Sequence, residues 1–282
     1  MSKCCIGLCV KDSERGLIDI LRNVNKIREC FSEIIVIVAY DESKDNSINI
    51  LEDYKKDFND IIIIKLNNTT ANKTKHQIHT ERTSRIANAR NGILERIRKS
   101  YKNWEFFIMM DTNFYSCVTQ IDTGVLNKVL ESDEWDGLSF NRNPYYDLWA
   151  LSIPPLNVSC WHFYNVKKSI STFDSYITET LSKKKDNEFI PVISAFGGFA
   201  IYRTAKFINC HYSGDFDIKM FSESSIRKQC KVLSSKLVLF SFDCEHRSFH
   251  VEAIRKNDAR IMISTLHLFP NAKDVPSPEI VI

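Results

Sequence analysis

Apolar residues in the first part of the chain alternate between two patterns. Four short continuous runs, Ile6 to Val10, Ile34 to Ala39, Ile61 to Ile64 and Phe106 to Met110, have the length and composition of strands buried on both faces. Between them apolar residues recur at helical spacing. Leu17, Leu21, Val24 and Ile27 form one stripe behind a cap at Asp12 or Ser13, and Leu51, Tyr54 and Phe58 form another behind Asp45 or Ser47. A polar segment, Asn67 to Glu81, leads into a long helix from about Thr83 to Tyr101. Strand and helix in alternation predict a mostly parallel central sheet with helices on both faces. Ligands of such sheets bind beyond the carboxyl ends of the strands, so Lys11, Asp12, Asp41 and Asp111 are expected to face one crevice.

The second half is less regular. Strands are expected at Gly137 to Phe140, Phe199 to Tyr202, Leu237 to Phe242 and Arg260 to Ile263, with irregular chain between Ile153 and Pro191. Within that stretch, Ser182 to Asn187 reads as a solvated loop.

Composition narrows the function classes. The 282 residues are 44% hydrophobic and 26% charged, which suits one globular domain. The formal net charge is only +3, with lysines scattered among acids, so nucleic acid is not the expected partner. No stretch reaches the length of a membrane span, and the N-terminus lacks a signal-peptide core, so the chain is expected to be soluble and to begin near Met1. Nine cysteines without a CxxC pair read as reduced thiols, which favours a cytoplasmic location.

Candidate chemistry sits at the ends of the apolar runs. Phe106 to Met110 terminates in Asp111-Thr112-Asn113, and in extended backbone residues 111 and 113 project to one side, where two oxygens could share a hard divalent cation. A plain turn residue or helix cap is the alternative for Asp111. Arg90 lies on the apolar stripe Ile86, Ala89, Ile93, Ile97 and Tyr101, where a guanidinium needs an anion: a ligand phosphate, or an internal partner such as Asp111 or Asp41. Tyr145-Tyr146-Asp147-Leu148-Trp149 joins aromatic faces to a carboxylate, suiting either a carbohydrate or an aromatic core. Gly197 and Gly198 allow a bulge or a close ligand approach. Asp243 to His250 gathers acids and histidines that could supply a general base and a nitrogen ligand, or be structural.

Taken in order, these segments resemble the GT-A glycosyltransferases over most of the chain. Tyr40 to Ser47 resembles that family's nucleotide-binding turn, and Asp111-Thr112-Asn113 its DxD motif, with Asn113 in place of the last acid. Arg85 to Asn91, Tyr145 to Ala150, Phe196-Gly197-Gly198 and Cys244-Glu245-His246 are similar to the cap-associated mannosyltransferases of fungi and their relatives in large DNA viruses. The resemblance implies a Rossmann-like GT-A domain over residues 1–282, with a nucleotide-sugar-binding half (1–115) and an irregular acceptor-binding half (116–282). It implies transfer of a hexose from a UDP- or GDP-linked donor to a hydroxyl of a glycan or glycoconjugate, with Mn2+ or Mg2+ on the diphosphate, in host cytoplasm if the source is viral.

By that resemblance Lys11, Asp12, Asp41, Arg85, Arg90 and Asp111 bind the donor, and Asp111, Asn113 and His250 hold the metal. Tyr146, Trp149, Gly197, Gly198 and His246 bind the acceptor, and Asp147 or Glu245 is the base. Two rivals share this expectation of fold: a nucleotidyltransferase that makes a nucleotide sugar, for which Gly7 to Gly16 is a poor phosphate loop, and a non-catalytic sugar-binding protein, which Asn113 favours. The sequence leaves the oligomeric state open.

Overall fold

The computed structural model describes residues 2–66 and 75–270, and side chains in the long third helix from His79 onward. Residues 67–74 of the expected polar segment therefore lie outside the described residues. In chain order the elements are β1 (Lys3–Val10), α1 (Glu14–Ile27), β2 (Glu33–Asp41), α2 (Ser47–Asp57), β3 (Ile61–Leu66), α3 (Lys75–Ser100) and β4 (Phe106–Asp111). There follow α4 (Thr123–Leu130), β5 (Gly137–Asn141), α5 (Val166–Ser182), β6 (Phe189–Pro191), β7 (Phe199–Arg203), α6 (Thr204–Phe207), α7 (Glu223–Leu233), α8 (Glu245–Asn257) and β8 (Ile261–His267).

All eight strands join one sheet in the order β3-β2-β1-β4-β7-β5-β8-β6. β1 pairs in parallel with both β2 and β4, β2 with β3, and β5 with β8, whereas β7 runs antiparallel between β4 and β5, and β6 antiparallel to β8. The result is a mixed α/β architecture with a mostly parallel sheet.

Strand alternation builds two cores. Cys5, Ile37, Ala39, Phe107 and Met109 face a layer that includes Ile93 and Ile97 of α3, Phe173 and Ile177 of α5 and Phe249 of α8. Their neighbours Ile6, Leu8, Val36, Val38, Ile108 and Met110 face the other layer, with Leu17, Ile20 and Val24 of α1 and Leu126 of α4. Both faces of the parallel strands are thus buried, which is why these strands read as unbroken apolar runs.

Three local expectations need correction. Neither Asp12 nor Ser13 caps α1 by its side chain; Glu14 N instead donates to Asp45 Oδ2 at 2.8 Å. Ser13 Oγ lies 2.9 Å from Thr112 Oγ1, tying the start of α1 to the end of β4. The chain from Ile153 to Pro191 is not irregular throughout: it holds α5, a helix masked by serines and threonines of weak helix propensity, capped by Asn165 Oδ1 on Lys168 N and buried through Phe173, Ile177 and Leu181. Leu237 to Phe242 forms no strand. Isolated bridges join Leu237 to Phe163 and Phe242 to Asp215, and with no sheet face to cover it Leu239 stays 60% exposed. Ser182 to Asn187 is exposed, and its residues after α5 form the connection to β6.

Among the described residues, no helix is long and apolar enough to cross a membrane. The nine cysteines are all unpaired.

Candidate functional site

The carboxyl ends of β1, β2 and β4 open on a cavity of about 990 Å³. α3 forms one wall of it, and the chain around Tyr146 to Trp149 together with the start of α8 forms another.

At the β1 and β2 end, Asp41 is the anchor. Its Oδ2 lies 3.1 Å from Lys11 Nζ and also accepts from Arg85 Nη2, while Lys11 Nζ donates to Glu42 O at 2.9 Å. Asp12 adopts φ 47°, and its Oδ1 accepts from Lys44 N at 2.7 Å, which locks the loop after β1 to the loop after β2. Lys11, Asp12, Asp41 and Arg85 all line the cavity.

Arg90 lies deeper and is only 4% exposed. Its Nη2 donates to Asp111 Oδ1 at 3.0 Å and its Nε to Glu245 Oε1 at 2.8 Å, and the guanidinium carbon sits 4.7 Å from the centre of the Phe196 ring. The internal-partner alternative for Arg90 is the one observed, with Glu245 as a second partner. Burial opposes the charge on Arg90, but Glu245 and the other neighbours outweigh it and raise its pKa well above the usual range. Burial also raises the Asp111 carboxyl, against the pull of Arg90.

Asn113 does not present an oxygen beside Asp111. Its Oδ1 accepts from Tyr115 N at 2.9 Å, and its Nδ2 donates to Asp111 Oδ2 at 3.2 Å and Tyr146 OH at 3.0 Å. The short turn after β4 uses the amide as a local bridge between Asp111, Tyr146 and Tyr115. His250 stands outside the cavity lining. It is fully buried on α8, with Nδ1 3.0 Å from Ser194 Oγ and Nε2 3.0 Å from Tyr202 OH, so both ring nitrogens are occupied away from the cavity lining. Among the described residues, no three His, Cys, Asp or Glu side chains gather so as to hold a metal ion.

Tyr146, Asp147 and Trp149 line the far wall. Asp147 holds φ 65°, a left-handed conformation rare for a residue other than glycine. Its Oδ1 accepts from Ala150 N at 3.2 Å. Burial, reinforced by the charges of Asp111 and Glu245, pushes its pKa up to about 7. The turn is held from behind by Arg247, which donates through Nη2 to Trp149 O at 2.5 Å and through Nη1 to Ala150 O at 3.3 Å, and pairs with Asp243 at 2.9 Å.

Gly197 and Gly198 do not line the cavity. Gly198, at φ 81°, accepts from Asp111 N at 2.8 Å, and a Cβ there would stand 2.6 Å from Ser116 Cβ. These glycines let the turn before β7 close onto the end of β4, which sets the position of Asp111. Glu245 and His246 do line the cavity, at the first turn of α8.

Arg15 and Arg82 also line the cavity, though sequence reasoning did not select them. Among the described residues neither has a salt-bridge partner; the Arg15 guanidinium lies 3.7 Å from the centre of the Phe114 ring. Helical spacing could have found Arg82, because residues 82, 85, 86, 89 and 90 share one face of α3 and all line the cavity. Arg15, in the first turn of α1 just beyond the carboxyl end of β1, had only its place in the topology to mark it.

The sequence matches no protein-family model and no curated protein. Among solved structures it is similar to S. aureus TarS 1-349, at 14% identity and TM-score 0.47, covering 95% of this chain and 59% of that one. The same protein in complex with UDP-GlcNAc gives 14% identity and TM-score 0.46 over 95% and 57% of the two chains. M. tuberculosis glucosyl-3-phosphoglycerate synthase in complex with Mn2+, UDP and phosphoglyceric acid gives 6% identity and TM-score 0.39 over 73% and 57%. The chain thus spans less than two thirds of these proteins, and at such values the likeness assigns no activity to it.

Proposed function

We propose that the chain is a GT-A glycosyltransferase that moves a hexose from a UDP- or GDP-linked donor to a hydroxyl of a glycan or glycoconjugate. The observation that carries this reading is the division of one cavity into two chemistries. Lys11, Asp41, Arg15 and Arg82 offer charged contacts for a nucleotide and its diphosphate, while Tyr146, Asp147, Trp149 and His246 offer the aromatic faces and hydrogen-bonding groups that suit a sugar.

Asp147 is the base in this proposal. Glu245 has committed a carboxylate oxygen to Arg90, whereas Asp147 has a pKa of about 7, poised to exist as carboxylate and to accept a proton near neutral pH. The acceptor O–H proton passes to Asp147, the acceptor oxygen bonds to the anomeric carbon, and the bond from that carbon to the diphosphate oxygen breaks, its electron pair leaving with the nucleoside diphosphate. A single displacement of this kind inverts configuration. Arg90, bridging Asp111 and Glu245, fixes the floor on which the reacting groups meet.

Mn2+ or Mg2+ fits the site through fewer residues than the sequence motif implies. Asp111, Asp147 and Glu245 line the same cavity, and Arg90 bonds only Asp111 and Glu245. Such ions are commonly held by one or two carboxylates together with substrate phosphates. Asp111 would hold the ion with the donor diphosphate, and the ion would neutralise charge on the leaving group.

Thermal unfolding of the full chain with UDP- and GDP-hexoses, in MnCl2, MgCl2 or EDTA, tests the reading. At a hundred times Kd, binding should raise apparent stability by about 2.7 kcal/mol. Stabilisation by no donor under any condition would favour the non-catalytic alternative.

A further inference from the structure

We propose that the surface where the start of α5 meets the end of α7 docks on an anionic lipid bilayer and holds the protein there peripherally. Two stretches of the sequence contain no acid: 148–173, between Asp147 and Asp174, and 224–242, between Glu223 and Asp243. Their cations are Lys167, Lys168, Arg227, Lys228, Lys231 and Lys236. The same stretches hold three of the four large hydrophobic side chains that stand exposed among the described residues: Tyr164 at 84%, Leu239 at 60% and Val232 at 47%.

The fold joins the two stretches. Tyr164 N donates to Lys236 O at 2.9 Å and Asn165 N to Ser235 Oγ at 3.2 Å, while the buried Phe163 bridges to Leu237. Asn165 caps α5, so Lys167 and Lys168 lie in its first turn, next to Tyr164. Lys231 and Val232 lie in the last turn of α7, just before Ser235, and Lys228 stands one turn back on the face of Val232. The acids that flank the stretches leave this charge in place. Glu223 pairs with Arg227 at 2.9 Å, Asp243 is buried against Arg247, Asp147 lines the cavity, and Asp174 is two turns along α5 from Lys167. Among the described residues none of the five lysines has a salt-bridge partner, and all five are exposed.

This combination selects the partner. Each lysine near an anionic membrane surface gains from its potential, a tyrosine suits the headgroup level with its apolar ring and polar tip, and Val232 and Leu239 can enter the apolar layer behind the charge. A nucleic-acid backbone offers charge without that layer, and its recognition favours arginine, whereas five of the six cations here are lysines. The inference stands apart from the glycosyl-transfer reading, since it needs neither donor nor acceptor.

Co-sedimentation of the full chain with phosphatidylcholine vesicles, with and without phosphatidylserine, at low and high NaCl, is the test. The protein should bind the phosphatidylserine vesicles, bind phosphatidylcholine alone far less, and be released by salt. Lys231→Gln and Lys236→Gln should each lower the partition coefficient about fivefold. Lys55→Gln, an equal change of net charge on α2, should leave it unchanged. Tyr164→Ser combined with Val232→Ser should weaken binding several-fold and keep its salt dependence. All these positions are exposed, so circular dichroism should show wild-type folding in every variant. No binding to phosphatidylserine vesicles, equal binding to both kinds, or an equal loss in Lys55→Gln would overturn the inference. Tighter binding of a duplex oligonucleotide, untouched by the Tyr164 and Val232 substitutions, would overturn it too and assign the patch to nucleic acid.

Discussion

Arg90 and Glu245, 155 residues apart in sequence, meet with Nε 2.8 Å from Oε1 and both side chains more than nine-tenths buried. The pair ties α3 to the first turn of α8, and through Asp111 it reaches the end of β4. A charge this deeply buried is costly once its partner is removed. Arg90→Met should therefore destabilise the protein by about 3–5 kcal/mol, chiefly by leaving Glu245 unpaired. Adding Glu245→Gln to Arg90→Met should recover part of the loss. Urea unfolding of the two variants measures this, and a single variant costing less than about 1 kcal/mol would show that the pair is not buried as described.

The clustering of these residues was only partly legible in the sequence. Arg90 stood out because it interrupted an apolar stripe, and Asp111 because it ended an apolar strand; both lie where the alternation of strands and helices directs them. α8 did not read as a helix, since Glu245, His246, Arg247 and His250 all point inward and erase the polar-apolar period on which recognition of helices depends. For the same reason His250 resembled a ligand. Its partners, Ser194 and Tyr202, come from distant positions that no local spacing reveals.

Asp147 should make stability depend on pH in an unusual direction. Its folded pKa, about 7, lies above the ordinary carboxylate value near 4, so the native state holds this proton more tightly than the unfolded chain. Its contribution is fully present below about pH 4 and is lost as pH rises through about 7. Asp147→Asn should thus be more stable than wild type at pH 8, with the difference vanishing toward pH 4. Thermal melts across that range give the answer; equal pH profiles for the two proteins would place Asp147 in an ordinary solvated setting.

Asn113→Asp puts a second carboxylate beside Asp111 and removes the amide that donates to Asp111 and Tyr146. In EDTA the variant should lose about 1–3 kcal/mol from lost hydrogen bonds and repulsion. Mn2+ should stabilise it more than it stabilises wild type, because two acids can then share the ion. Melting temperatures with MnCl2 and with EDTA test this, and an equal Mn2+ response in both proteins would contradict it.

Gly198→Ala and Gly197→Ala separate steric contact from backbone strain. At Gly198 the added Cβ would fall 2.6 Å from Ser116 Cβ as well as occupying φ 81°, whereas at Gly197, φ 65°, its nearest neighbour is Phe140 O at 3.7 Å. Gly197→Ala should cost about 1–2 kcal/mol, the left-handed penalty alone, and Gly198→Ala clearly more. Denaturant midpoints rank the two; the reverse order would mean that the turn does not hold the end of β4.

Nucleoside diphosphate release tests the central claim most directly. Wild type and Asp147→Asn would be given the UDP- or GDP-hexose that stabilises the protein, with a panel of saccharide acceptors, from pH 5 to 9. The account predicts acceptor-dependent release by wild type that rises with pH through about 7 and then levels, and a loss of about a hundredfold or more in the variant at unchanged donor affinity. Release that Asp147→Asn leaves intact would contradict Asp147 as the base, and a bound donor that no acceptor discharges would contradict glycosyl transfer itself.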